Sequence, residues 1–119
     1  MFAGAKKVDN LISTVDFNGQ QIDGTVKKVL DYGDIRIKFE AFGWKTLQMY
    51  GNDIQEVVTT LKLAKTLTGQ GQPVAIVMKT HMGYPVDFML DNHEWHGVAP
   101  NDEQLARALA QLPETIGDY

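Results

Sequence analysis

Asn18 is the residue that most plainly offers chemistry. It follows Leu11 to Phe17, an apolar, β-branched run with the length of a buried strand, and Asn18-Gly19 turns the backbone sharply. In α/β folds, ligands bind at the carboxyl ends of parallel strands, so the side-chain oxygen of Asn18 can meet a hard cation there. Such cations, Mg²⁺ among them, take oxygen ligands and keep phosphate and water in the same shell. The plain alternative is a turn residue, since Asn-Gly is frequent in turns. The histidines His81, His93 and His96 form a second group. A three-imidazole metal site is conceivable, but the spacing lacks the HExxH frame of a helical zinc site. An imidazole can also donate to a phosphate or stabilise an oxyanion without carrying permanent charge. Asp16, Asp23, Asp87 and Asp91 invite an acid–base role. Nothing sets two of them on one rigid face, and they read as turn and loop acids.

The elements that must position these residues alternate along the chain. Met1 to Val8 reads as the last turns of a helix, with Lys6-Lys7 suited to its C-terminal dipole, and the absence of a cap suggests missing upstream chain. A strand spans Asn10 to Phe17. From Asn18 to Gly33 the glycines and Asx residues predict turns rather than a regular element. Asp34 caps a short helix with Ile35, Phe39 and Phe42 on one face, ended by Gly43. Trp44 to Tyr50 is a second strand. Gly51-Asn52-Asp53 opens the longest helix, with Asn52 and Gln55 placed as a capping box and Ile54, Val57, Val58, Leu61 and Ala64 as its apolar face. Thr68 to Pro73 breaks it, and the Gly69–Gly71 loop is a helix stop, not a phosphate cradle, because it precedes a strand. Val74 to Met78 is nearly all apolar, as a parallel strand covered on both faces should be. After the irregular stretch from His81 to Pro100, Asn101 and Gln104 cap a last helix carrying Leu105, Ala108, Leu109 and Leu112, stopped by Pro113. Strand and helix alternating three times imply an α/β fold, a parallel sheet with helices on both faces. Residues 1–119 show no linker and no internal repeat, so they read as one domain. A sheet of three strands leaves two long edges that something must cover.

The 119 residues, 44% hydrophobic and 22% charged, are ordinary for a globular protein. A net charge of −4 argues against nucleic-acid binding through phosphate contacts. With no cysteine, disulfides and thiolate metal sites are excluded. No apolar run approaches the roughly 18 residues of a membrane span, and no signal peptide opens the chain, so no membrane partner is expected and the cytoplasm is the default location. Phe39, Phe42 and Trp44 read as core, since no basic residues are interleaved to make a stacking platform for bases.

Several motifs stand in a fixed order: Val15-Asp16-Phe17-Asn18-Gly19-Gln20-Gln21-Ile22-Asp23-Gly24, then Phe39-x-x-Phe42-Gly43-Trp44, Gly51-x-Asp53, Lys79-Thr80 and Trp95-His96-Gly97. Together they span almost the whole chain and resemble the thiamine diphosphate-binding domain of transketolases. The first resembles the second half of that family's thiamine diphosphate and Mg²⁺ motif. The resemblance implies that Asn18 and the backbone carbonyl of Gln20 are metal ligands. It makes Ile22 the apolar residue against the thiazolium ring and Met82 a lining residue of the cofactor cleft. His96 then contacts the diphosphate and approaches the donor sugar, a catalytic role. The motif's first half, an upstream Gly-Asp-Gly, is absent, so the chain reads as a partial domain, an incomplete thiamine diphosphate-binding fold. Thr25-Val26 stands where many relatives have Pro-Thr. Pro85 replaces a glycine, fixing φ and removing an N–H.

The activity that the resemblance implies is transfer of a two-carbon ketol unit between sugar phosphates, dependent on thiamine diphosphate and Mg²⁺. In that family the glutamate that activates the cofactor lies in a separate pyrimidine-binding domain, and the cleft lies between two chains. The isolated chain is therefore expected to be inactive, needing a complementary transketolase chain or a homo-oligomer. Two alternatives stand beside it: part of a deoxyxylulose-phosphate synthase, and a non-catalytic truncated fragment that serves as an oligomerising interaction module.

Overall fold

Three parallel strands carry the fold in the computed structural model, which describes residues 1–113. In chain order the elements are α1 (Phe2–Ala5), β1 (Ile12–Phe17), β2 (Gln20–Gln21), β3 (Gly24–Thr25), α2 (Val26–Val29), α3 (Ile35–Ala41), β4 (Lys45–Tyr50), α4 (Ile54–Thr66), β5 (Val74–Lys79) and α5 (Asp102–Leu109), with a 3₁₀ turn at His93–Trp95 before the last. The main sheet runs β1-β5-β4, and both pairings are parallel. Phe17, Lys79 and Tyr50 stand in register at the carboxyl edge. Asn18 and Thr80 therefore leave the sheet side by side, and the Thr80 hydroxyl is hydrogen-bonded to the Asp16 carboxylate.

The strand chemistry explains why β5 is central. Val74 to Val77 are all buried, as both faces of the middle strand are covered. Val74 and Ile76 join Met49 and Ala64 in the core, with Leu47, Val57 and Leu67 packed around them, so α4 covers this face. Thr46 points to the opposite face and bonds the Glu40 carboxylate of α3, which places a helix there too. The fold is thus the expected α/β sheet with helices on both faces. β1, read as a buried strand, is an edge strand instead: Thr14 and Asp16 are exposed, because no neighbour pairs with its outer side among the described residues.

Four local expectations change. Asn18 to Gly33 is not all turns: β2 and β3 form a two-residue antiparallel hairpin, Gln20 opposite Thr25 and Gln21 opposite Gly24, followed by the single turn of α2. Elements this short carry no periodicity to read. At α4 the cap is Asp53, whose carboxylate accepts from the N–H groups of Gln55 and Glu56, while Asn52 turns its oxygen to the His81 N–H at 2.8 Å. The face α4 buries is also rotated from the expected one. Val57, Thr60 and Ala64 turn inward, but Ile54 is 76% exposed, and Val58 and Leu61 are exposed as well. At Asn101 the capping box forms as read, with Gln104 returning its side chain to the Asn101 N–H, and Ala108 is buried. Leu105 and Leu109 stay exposed.

Candidate functional site

The site grows from the turn after β1. Asn18 bends its side chain over this turn, and its Oδ1 accepts the Gln20 N–H at 2.9 Å. Gly19 has φ of +73°, the left-handed conformation that glycine adopts without cost, and its carbonyl accepts the Val26 N–H. The hairpin that comes next carries Gln21, Ile22 and Asp23 outward, leaving Ile22 68% exposed. From the other side, Lys79-Thr80-His81-Met82 leaves β5, and the 3₁₀ turn of His93–Trp95 presents His96 as its C-cap. Trp95 anchors that turn: its indole N–H donates to the Phe88 carbonyl at 2.9 Å, and its ring stands edge-on to Phe88 at 5.3 Å.

These pieces enclose a cleft of about 370 Å³ lined by Asn18, Gln20, Gln21, Ile22, Asp23, Met82 and His96. All five residues singled out in the sequence, Asn18, Gln20, Ile22, Met82 and His96, meet there. Gln21 and Asp23 are additional lining residues inside the same motif; Gln21 was not singled out, and Asp23 was weighed only as a loop acid. The volume suits a small-molecule site, with polar groups gathered around Ile22 and Met82. A second cleft of about 260 Å³ lies beside it, lined by Phe17, Asn18, Gly19, Gln20, Lys79, Thr80, His81 and Asp91. Asn18 and Gln20 belong to both.

As a donor set, the first cleft offers hard oxygens. Asn18 Oδ1 spends one lone pair on the Gln20 N–H and keeps another. The Gln20 side chain donates to the Asp91 carbonyl at 3.1 Å, and its own Oε1 is buried without a hydrogen-bond partner among the described residues. The histidines do not gather: His81 lines the second cleft, His96 the first, and His93 neither. Among the described residues no three His, Cys, Asp or Glu side chains assemble around a common point. Asn18 Oδ1 and the Gln20 backbone carbonyl, the pair the resemblance implies, are of the oxygen type Mg²⁺ takes but would fill only part of its octahedral shell.

Two of the loop acids, Asp91 and Asp87, are paired. Asp91 pairs with His81 Nδ1 at 3.0 Å, and Asp23 lines the first cleft. Asp87 receives the Gln111 amide at 2.9 Å and the Arg107 guanidinium, tying α5 to the loop. Those bonds, from Gln111 first and then Arg107, hold the Asp87 carboxyl below its usual value. Pro85, flagged by its departure from the family pattern, lines neither cleft.

Comparison with known proteins bears on the chain and its fold. The family described as "Transketolase, thiamine diphosphate binding domain" matches residues 1–113. An apulose-4-phosphate transketolase subunit from Phocaeicola vulgatus is 30% identical over 92% of this chain and 38% of its own length. Mouse transketolase is 33% identical over 92% of this chain and 17% of its own. The crystal structure of transketolase from Campylobacter jejuni superposes with a TM-score of 0.82 at 29% identity, covering 92% of this chain and 17% of that one. The chain thus spans well under half the length of these relatives. No helix among the described residues is long and apolar enough to cross a membrane.

Proposed function

The chain belongs to the transketolase family, matching its thiamine diphosphate-binding domain, and from that premise we propose that its larger cleft holds the diphosphate end of the cofactor together with Mg²⁺. One observation carries the reading: Asn18, Gln20, Ile22, Met82 and His96, drawn from three separate stretches, line one cleft at the carboxyl edge of the sheet. Asn18 Oδ1 and the Gln20 carbonyl are the chain's oxygens for the metal, leaving the rest of the shell to phosphate, water and groups this sequence does not contain. Ile22 and Met82 supply apolar contact to the ring. His96, exposed at the rim, donates a hydrogen bond to the diphosphate and meets the donor substrate. When bound, thiamine diphosphate supplies the carbanion-stabilising carbon that ketol transfer requires. The reaction is transfer of a two-carbon ketol unit between sugar phosphates, in the cytoplasm.

A second chain completes the site. The accessible surface of 8486 Å² exceeds the roughly 6,500 Å² of a compact monomer of this mass, which leaves surface for further polypeptide to cover. The relative in Phocaeicola vulgatus is named as a subunit, which fits a complementary partner. Residues 1–119 are on this reading one partial diphosphate-binding domain, inactive alone. Incubating the purified chain with thiamine diphosphate, Mg²⁺, a ketose phosphate donor and an aldose phosphate acceptor tests this. No turnover is expected; turnover by the chain alone contradicts the need for a partner.

A further inference from the structure

Asp91 lies outside the larger cleft, yet three of the contacts that shape the cleft's surroundings meet on it. Its N–H donates to the Met82 carbonyl at 2.8 Å, closing the loop from Met82 onto itself. Its carbonyl accepts the Gln20 side-chain amide at 3.1 Å. Its carboxylate takes His81 Nδ1 at 3.0 and 3.2 Å, and the His81 backbone N–H is in turn fixed on Asn52 Oδ1. Asp91 does this with φ of +53°, a left-handed conformation that aspartate and asparagine tolerate better than other side chains. Met82 and Gln20, far apart in sequence, both line the larger cleft, and Asp91 is the residue bonded to both.

We propose that Asp91 is a positioning residue for the larger cleft, setting the spacing between the turn that carries Asn18 and Gln20 and the loop that carries Met82. Its backbone holds the two walls, and its carboxylate, through His81, holds the backbone in the left-handed conformation. The effect on cofactor affinity rests on the proposed function of the cleft; the effect on its geometry does not. Three substitutions separate the parts. Asp91→Asn keeps an oxygen acceptor and tolerates the left-handed conformation, Asp91→Gly keeps only the conformation, and Asp91→Ala keeps neither.

The test pairs calorimetric titration of thiamine diphosphate and Mg²⁺ with amide NMR spectra of the ligand-free chain. In D91A the Gln20 and Met82 amide signals shift and affinity falls about ten- to hundredfold, the range found when residues supporting metal ligands are removed. D91N returns both towards the wild type, and D91G lies between. Unmoved Gln20 and Met82 signals in D91A overturn the proposal, as do moved signals with wild-type affinity. If the wild-type chain itself binds no cofactor, the reading of the cleft fails, and the amide signals alone decide whether Asp91 sets its walls. Should D91A not fold, His81→Ala removes the carboxylate's partner and carries the same expectation, with unmoved signals overturning the proposal.

Discussion

At the scale of single residues, the chain separates groups whose chemistry is spent on structure from groups left free for a ligand. Asp87 belongs to the first kind. Its carboxyl sits below the usual value of about 3.9 because the Gln111 amide and the Arg107 guanidinium favour the charged form. A depressed folded-state value means the stabilisation is complete above the ordinary aspartate range and is lost as pH falls through the lower folded value. Urea unfolding at neutral pH and at about pH 3 should therefore show a larger acid-induced loss in wild type than in Asp87→Asn. An equal loss in both would mean the pairing adds nothing to stability. Asn18 is the contrasting case, with a lone pair unspent at the cleft. Its position was legible, because an apolar run ending in Asn-Gly marks a strand's carboxyl edge whatever the family. That Gln20, Ile22, Met82 and His96 would meet at one cleft was legible only through the resemblance. Asp91 was not legible as a hub, since a left-handed aspartate and its long-range partners arise from loop closure, not from spacing. The Asp91-Asn92 pair, a turn-prone dipeptide, was its one local signal.

At the scale of elements, the starts of α3, α4 and α5 were readable to within a residue, α2 was not readable at all, and the one displaced cap has a physical cause. Asn52 and Asp53 both suit a cap. His81 arrives just past the end of the neighbouring strand and takes Asn52, leaving α4 to Asp53. Asp53→Ala should cost about 1 kcal/mol in chemical unfolding, while Asn52→Ala should spare α4 and disturb the His81 loop instead. The reverse order of effects would restore Asn52 as the cap. Gly51 admits β4 beside β5: a Cβ there would stand 2.6 Å from Thr80 Cγ2 and closer still to the Met78 side chain. Gly51→Ala should cost about 1–3 kcal/mol through overpacking, read from the same unfolding curves, and a neutral effect would mean the two strands part easily. The hairpin of β2 and β3 was invisible in the sequence because two-residue strands have no period. The buried face of α4 was misjudged for another reason. The helical spacing fits two neighbouring stripes equally well, and only the position of the sheet selects Val57, Thr60 and Ala64 over Ile54, Val58 and Leu61.

At the scale of the whole molecule, the shape is thin and wide. The principal extents are 52 × 39 × 19 Å, and the radius of gyration is 17.5 Å, against about 13.5 Å for a compact chain of this length. Both sheet edges were foreseen as a liability, and β1 and β4 are indeed unpaired on their outer sides among the described residues. Ile76 is fully buried at the centre of a small core, so Ile76→Ala should cost about 2–5 kcal/mol, enough to threaten a marginally stable fold. Little cooperative loss on thermal unfolding would mean the core lies elsewhere.

The central claim, that this cleft is a working part of a thiamine diphosphate site, is tested most directly by calorimetric titration of thiamine diphosphate into the wild-type chain, Asn18→Ala and His96→Ala, with Mg²⁺ and then with chelator. The cleft geometry predicts binding that needs Mg²⁺ and is lost in both variants. No binding at about millimolar cofactor, or binding indifferent to Mg²⁺, Asn18 and His96, would contradict it.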